Sequence, residues 1–416
     1  MLNARPDLLV VFLSVFPSDI APANHVRRIC RGLQLQGRSP LLLCAGAVRS
    51  PCEKLSEGYD GEWKIPYRCA HVPVLRAPLN MLFYAKRAAP ILIAMLEAEL
   101  RQNSVRAVLF YGSSYYAFDS LFELCRRAGV PSLTYEVEYP ISTAWPRLLT
   151  GGYFDHSGYI RATLRRASGL IGISSFWAPA AESLGLPFQL IPSYLPDEIP
   201  TLARQLHSRG HKASGVFHVV TLGRWGPREC PRALLRGVRD AHCRGIPIRY
   251  TAIGMIGGGL SDYRIWKMCE RDPVLREVVT MTGWLEATEK TALMQSADVF
   301  VILRRETRES AASFPTRLPE YLATGRPVIA SAAGDIPEYL EHGVTAWLVP
   351  PDDRGELLCS AFVTLHAHPE LGDAIGRAGF DEAVKRFSIE ENGRKMDAFI
   401  RSLALGASAG KAAPAH

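Results

Sequence analysis

Two stretches of this 416-residue chain carry residue types at a spacing that could do chemistry. In the first, Ser313, Phe314, Pro315, Thr316 and Arg317 lead into LPEYLATG, with Glu320 one helical turn further in. A loop that opens a helix offers free backbone N–H groups and a positive dipole end, which suit an anion such as a phosphate. Residues 312–317 are therefore a candidate anion cradle. The Glu320 carboxylate beside it is better suited to accepting hydrogen bonds from sugar hydroxyls than to touching the anion. In the second stretch, Glu136 and Glu138 close the run LTYEVEYP. Alternation along a strand puts both on one face, at the strand's carboxyl end. Two nearby carboxylates could serve acid–base chemistry or hold acceptor hydroxyls; the alternative is pairing with arginines such as Arg147 or Arg161. Ser18, Asp19, Asn24 and His25 follow the first apolar run and could face the same kind of opening. On the plainer reading, Asn24 is a helix cap and His25 an exposed first-turn residue. His156 is a lone loop histidine that could join the polar groups.

The elements that must position these residues alternate between strand and helix. Residues 299–303 are an apolar run bounded by charge, which suits a buried parallel strand. Residues 304–314 read as a polar loop, and Pro315 fits the first turn of a helix, where its missing N–H costs nothing. Leu318, Tyr321 and Leu322 form that helix's apolar stripe, and Gly325 stops it. Strands follow at 327–330 and 347–349. Toward the N-terminus, strands are expected at 8–15, 40–44, 107–111, 132–136, 169–174 and 189–192, with helices at 24–35, 79–102, 118–128, 160–166 and 177–184. Residues 50–76 read as irregular. Strands at 217–222, 249–254 and 278–281 open the C-terminal half, and helices at 354–366, 375–386 and 392–403 close it.

Such alternation predicts an α/β fold with parallel sheets and ligands at the carboxyl ends of the strands. The length calls for roughly two domains. The boundaries fall at 1–198 and 199–386, with a last helix at 387–405 and a disordered tail at 406–416. Composition is that of a globular protein, 48% apolar and 21% charged, and the net charge of +7 permits attraction to phosphates or anionic lipid. No motif or basic tract points to nucleic acid. Nine scattered cysteines without a C-x-x-C pair argue for reduced thiols in a cytoplasmic protein rather than a disulfide framework. Arg5, residues 8–16 and Ala21 imitate a signal peptide, but the run reads as a first buried strand. No stretch approaches the ~20 apolar residues of a membrane span. The apolar and basic mixture at 79–102 suits either core packing with a solvated basic face or a membrane surface.

FPTRLPEYLATGRPVIAS, followed by GDIPEYLEHGVTAWLVPPDD, resembles the nucleotide-sugar half of family 4 glycosyltransferases. The resemblance runs through much of the C-terminal half and is weaker in the N-terminal half. It implies the GT-B fold: two Rossmann-like domains facing a cleft, with the C-terminal helix crossing back to the first domain. It also implies transfer of a sugar from a nucleotide-sugar donor to an acceptor, with retention at the anomeric carbon. No obligatory metal and no separate cofactor go with it, and the sequence has no Asp-x-Asp pair that would bind a metal. In the family, Gly-Arg after the strand at 217–222 holds the donor's diphosphate, and Gly223 and Arg224 match. A lysine usually follows about five residues on; here Glu229 or Cys230 stands there and Arg228 is the nearest cation, a competent phosphate ligand. Arg224 and Arg228, with the helix start at 314–317, would stabilise the leaving diphosphate. Glu320 would anchor ribose hydroxyls. Trp284 lies on the loop that borders the base, unless it packs in the core. Asn24, His25, Glu136 and Glu138 fall on the acceptor side, although the first loop lacks the glycines usual in the family. The family commonly has a Glu eight residues before Glu320, where this chain has Ala312; a sub-pattern with Phe-Pro-x-Lys/Arg is similar to this sequence. The partners implied are a nucleotide sugar and a glycan or lipid-linked acceptor, with at most peripheral contact at the inner face of a membrane. The other readings are a non-catalytic scaffold in polysaccharide assembly and a nucleotide-sugar epimerase.

Overall fold

Eight short runs, most of them apolar, become the first sheet. The structure, a computed structural model, describes residues 5–410 except 19, 49–53, 62, 75–79, 140–154, 157, 196–214, 224–227 and 255–259. The strands are β1 (Leu8–Phe12), β2 (Pro40–Val48), β3 (Leu55–Asp60), β4 (Ile65–Pro73), β5 (Ala107–Tyr111), β6 (Ser132–Glu136), β7 (Gly169–Gly172) and β8 (Phe188–Leu190). Their order is β3-β4-β2-β1-β5-β6-β7-β8, parallel throughout except for the antiparallel β3–β4 pair. The central strands β1 and β5 are buried along their whole length, as parallel strands covered by helices on both faces must be.

Two strands, β3 and β4, thus form where the sequence reads residues 50–76 as irregular. β4 joins β2 in register from Leu42↔Tyr67 to Val48↔Pro73, and β3 covers its outer edge. The sequence conceals this pair because β3 is an edge strand of alternating exposed and half-buried residues, while β4 contains Pro66 and Arg68.

Three helices cover this sheet, α1 (Ala21–Leu35), α2 (Asn80–Gln102) and α3 (Tyr115–Ala128). Val26, Ile29, Cys30 and Leu33 form the buried face of α1, which begins three residues before Asn24 with Pro22 in its first turn. The chain divides into two compact units, Met1–Tyr194 with Ile389–His416, and Leu195–Ser388. The last helix therefore belongs to the first unit. It approaches α1 backbone to backbone: a Cβ on Gly393 would lie 2.4 Å from the Gly32 carbonyl oxygen, so nothing larger than glycine fits. Its buried Asp397 accepts from Arg38 and Arg401, and Asn392 Nδ2 donates to the Ser193 carbonyl at 2.7 Å. The helix continues to Gly410, past the point where composition alone suggests that order ends.

The second unit has six parallel strands, β9 (Phe217–Leu222), β10 (Ile248–Ile253), β11 (Val279–Gly283), β12 (Val299–Ile302), β13 (Val328–Ser331) and β14 (Trp347–Val349). Their order is β11-β10-β9-β12-β13-β14. Val219, Tyr250, Val299 and Ile329 of the sheet meet Leu235, Val238 and Phe362 of the flanking helices in one core. Two short helices follow β12: α4 (Arg308–Ala311), inside the stretch expected as loop, and α5 (Arg317–Leu322). Thr307 nucleates α4 by accepting the Ser310 N–H at 3.2 Å. With the last helix taken as α6 (Ile389–Gly410), no described helix is long and apolar enough to cross a membrane. Among the described residues no group of three His, Cys, Asp or Glu side chains could hold a metal ion.

Candidate active site

At the carboxyl ends of the second sheet, three glycines stand in line. Gly223, Gly254 and Gly283 terminate β9, β10 and β11 with φ of 86°, 86° and 71°, a region in which L side chains are strained. The Gly223 N–H donates to the Ile253 carbonyl at 2.8 Å and the Gly254 N–H to the Gly283 carbonyl at 2.7 Å. The result is a shelf of backbone without side chains, of the kind a ligand can approach closely.

Helix α5 is fastened to the end of β9 by two side chains one turn apart. The Tyr321 hydroxyl accepts the Leu222 N–H at 2.5 Å, and Arg317 Nη1 donates to the Leu222 carbonyl. The second arm of Arg317 meets Glu229 at 3.2 Å. A Cβ on Gly223 would lie 3.1 Å from Arg317 Nη1, so the glycine also makes room for the clamp. Half-buried Glu320 lies on the same short helix with half-buried Thr316 at its N-cap, and Phe300 stacks on Tyr321 at 4.5 Å.

Ser313 is where the cations meet. Its Oγ accepts from Arg304 Nη2 at 2.7 Å and from Arg228 Nη1 at 3.4 Å, and donates to the Glu309 carbonyl at 2.7 Å. A hydroxyl has one proton and two lone pairs, so the bonding capacity of Ser313 is already filled within the protein. Arg304 also donates to the Ser313 carbonyl at 3.3 Å, and its own N–H is taken by Ser331 Oγ at 2.9 Å. Backbone bonds from Arg305 N to Arg228 O (2.8 Å) and from Cys230 N to Leu303 O (3.2 Å) hold the two loops side by side. Phe314 turns inward onto Tyr339 and Phe387, 5.3 and 5.5 Å away, and Pro315 is buried.

Of the donor-side residues expected from sequence, Gly223, Arg228, Ser313, Arg317 and Glu320 are thus drawn together around the ends of β9 and β12. Arg224 lies outside the described residues. Trp284 is not a core residue: it is 80% exposed, just past the end of β11. Ala312 is fully buried, which leaves no room there for a glutamate. Sequence reasoning missed Arg304 and the Tyr321 hydroxyl. A charge directly after an apolar run reads as the solvated end of a strand, yet Arg304 is 4% exposed; Tyr321 reads only as part of an apolar stripe.

In the first unit the expected polar residues separate. His25 is not an exposed first-turn residue but 4% exposed, held between Tyr111 OH at 3.0 Å and Tyr135 OH at 3.3 Å, with Tyr194 edge-on at 5.3 Å. Burial, helped by nearby Arg28, pushes its pKa down to about 3, so the ring is neutral. Asn24 does not cap α1, where Ile20 holds the cap position; its Oδ1 accepts from Arg27, which also pairs with Asp60. Ser18 Oγ donates to the Val15 carbonyl at 2.9 Å, and Asp19 falls outside the described residues.

Glu136 and Glu138 do not share a face, because β6 ends at Glu136 and alternation stops there. Glu136 is fully buried and Glu138 is exposed. The Glu136 Oε1 accepts from Thr134 and from Tyr159 OH at 2.6 Å, while Oε2 is buried with no hydrogen-bond partner. Burial raises its pKa, with those two hydroxyls pulling the other way, which favours the protonated acid. Arg147 lies outside the described residues. His156 is buried against Ser113 Oγ, 3.2 Å from its Nδ1.

Residues 217–368, the greater part of the second unit, match the family described as Glycosyl transferases group 1. WcaL of Salmonella typhimurium, provisionally named a colanic acid biosynthesis glycosyltransferase, is 25% identical over 248 residues, 58% of each chain. The amylovoran biosynthesis glycosyltransferase AmsK of Erwinia amylovora is 29% identical over 193 residues, 45% of each chain. The chain thus spans about half the length of the relatives it matches. Among solved structures, sucrose-phosphate synthase of Thermosynechococcus elongatus superposes with a TM-score of 0.68 at 16% identity, covering 97% of this chain and all of that one. HepE of Anabaena, solved with UDP and glucose, gives 0.62 at 17% identity over 95% of this chain and 99% of its own. These likenesses are of fold, and the fold is GT-B.

Proposed function

We propose that this chain, whose residues 217–368 match the group 1 glycosyl transferases, moves a sugar from a nucleotide-sugar donor to an acceptor hydroxyl. The observation that carries this reading is the meeting of Arg317 with the end of β9 at a side-chain-free glycine shelf formed by the carboxyl ends of β9, β10 and β11, and of Arg228 with Ser313 in the loop after β12, with Glu320 on the helix that starts at Arg317. Breaking the bond between sugar and diphosphate develops negative charge on the leaving group. Arg228 stands in the right loop to offset that charge, and a fixed guanidinium does so without reorganising at the moment of reaction; the same task is assigned to Arg224 from the resemblance alone. Glu320 accepts from the ribose hydroxyls, and the exposed Trp284 ring is offered to the base. Arg304, Tyr321 and Ser313 touch no substrate on this reading; they hold the loops still. We assign transfer with retention and without an obligatory metal, as the resemblance to family 4 implies.

The donor we assign is a nucleoside diphosphate sugar, the class of the UDP-glucose with which HepE has also been solved. A polysaccharide precursor, free or lipid-linked, is the acceptor suggested by the kinship with WcaL and AmsK. The acceptor falls to the first unit. A cytoplasmic protein touching the inner face of a membrane is consistent with α2, whose exposed side carries Phe83, Lys86, Arg87 and Ile91. The test is thermal unfolding of wild type and Arg228→Ala against a panel of nucleoside diphosphates. One base should stabilise the wild type, by about 2.7 kcal/mol at roughly 100 times its dissociation constant, and the variant much less. A folded wild type that no nucleotide stabilises would turn the reading to a non-catalytic scaffold.

A further inference from the structure

The register of the first sheet sets two cysteines directly opposite each other. Cys44 on β2 pairs with Cys69 on β4, and paired residues of parallel strands project from the same face. Neighbouring strands lie about 4.8 Å apart, inside the roughly 4.4–6.8 Å between Cα atoms that a disulfide requires. Both side chains are fully buried. The other described cysteines lie on helices or just before one, so this is the only such pair among the described residues. The two thiols are not equivalent. Burial pushes the Cys44 thiol well above its ordinary value, and its hydrogen bond to Cys69 adds to that. The same hydrogen bond draws Cys69 down, against burial, and the backbone N–H groups of Phe16 and Gly46 help it. One sulfur thus has the character of an attacking thiolate, and its neighbour keeps a proton to give. The pair lies one strand in from the sheet's edge, which is formed by β3 with Leu55, Glu57 and Tyr59 exposed. Local opening of that edge admits a molecule the size of hydrogen peroxide to thiols that are closed to bulky reagents.

We propose that Cys44 and Cys69 are a modification site, which a hydroperoxide converts to a reversible disulfide. The Cys69 sulfur attacks a peroxide oxygen and the O–O bond breaks. The Cys69 proton leaves with the departing oxygen as water, and a sulfenic acid remains. Cys44 then attacks that sulfur, the S–OH bond breaks, and the hydroxide departs as water with the Cys44 proton. Two thiols and one hydrogen peroxide become one disulfide and two waters, and a dithiol reductant reverses the change by exchange. The bond ties β4 to β2 beside the loop that follows β1, where packing is already close: a Cβ on Gly46 would lie 2.5 Å from Val15 Cγ2. This inference is independent of the transferase reading.

The experiment challenges the reduced, folded full chain with hydrogen peroxide, then unfolds it in an alkylating reagent and maps every cysteine by mass spectrometry. Wild type, Cys44→Ser and Cys69→Ser are compared, with the exposed Cys243 as an internal gauge of oxidant strength. Wild type should yield a peptide pair joined through Cys44 and Cys69, which dithiothreitol separates. Cys44→Ser should leave a sulfenic acid at Cys69 that dimedone traps, and Cys69→Ser should leave Cys44 a free thiol. Oxidation of Cys243 while Cys44 and Cys69 stay thiols in wild type would overturn the proposal. So would a bond from either of them to Cys30, or sulfinic acid at Cys69 without the Cys44–Cys69 bond. Should a serine variant fail to fold by circular dichroism, the wild-type map alone decides.

Discussion

Replacing Tyr321 with phenylalanine removes a single oxygen from the centre of the second unit. That oxygen accepts the N–H of Leu222, the last residue of β9, at 2.5 Å, and both residues are buried. The ring itself stays, still stacked on Phe300 at 4.5 Å, so no cavity opens and almost no apolar burial is lost. What remains is a buried backbone donor with no partner, which costs about 1–3 kcal/mol. For a unit of this size each kcal/mol moves the midpoint by about 2–4 °C, so the expected fall in Tm is roughly 2–12 °C. Calorimetry or circular dichroism on the full chain reads it directly. The same substitution also loosens the residue before Gly223, so nucleotide affinity should fall with stability. A Tm within about 1 °C of wild type would refute the reasoning, because it would mean that the clamp between α5 and β9 is not made or that water replaces it.

Three further outcomes follow from the same geometry. Gly223→Ala places a side chain at φ 86° and 3.1 Å from Arg317 Nη1; backbone strain of about 1–2 kcal/mol and a displaced guanidinium should show as lower Tm and at least tenfold weaker nucleotide binding. Trp284→Ala should leave stability within about 0.5 kcal/mol, since the ring is 80% exposed, while weakening nucleotide binding roughly tenfold if it stacks on the base; titration calorimetry separates the two. His25 has its pKa held at about 3, against 6.5 in the unfolded chain. Between those values only the unfolded chain takes up the proton, so His25 makes stability fall as pH drops below 6.5, by ~2 kcal/mol at pH 5 relative to pH 7. Urea unfolding at the two pH values should show that loss in wild type and its absence in His25→Gln.

How much of this was legible in the sequence depended on how local the cause was. The apolar run at 299–303 and its successors announced parallel strands because both faces of such strands are buried, and the fold class followed. The β3–β4 pair was not legible, since an edge strand exposed on alternate residues resembles a loop. In the site, the loops holding Arg228 and Ser313–Arg317 could be placed at strand ends from the alternation alone. The clamp could not: Arg317 and Tyr321 reach Leu222 across about ninety-five residues of chain, and periodicity carries no information about such contacts. Arg304 shows the same limit: it is buried with its guanidinium on Ser313 and its backbone N–H on Ser331, residues nine and twenty-seven positions away. His25 was hidden in the same way, since the tyrosines that enclose it arrive from three distant segments. Alternation misled only where its element ended early, at Glu136.

The most direct test of the central claim is release of nucleoside diphosphate from a panel of nucleotide sugars, each offered singly to wild type and to Arg228→Ala. The account predicts turnover of one donor class, to water or to an added neutral glycoside, slower by roughly 100-fold in the variant, as the loss of one charge-stabilising donor implies. No release from any donor by folded wild type, or equal rates in the two proteins, would contradict it.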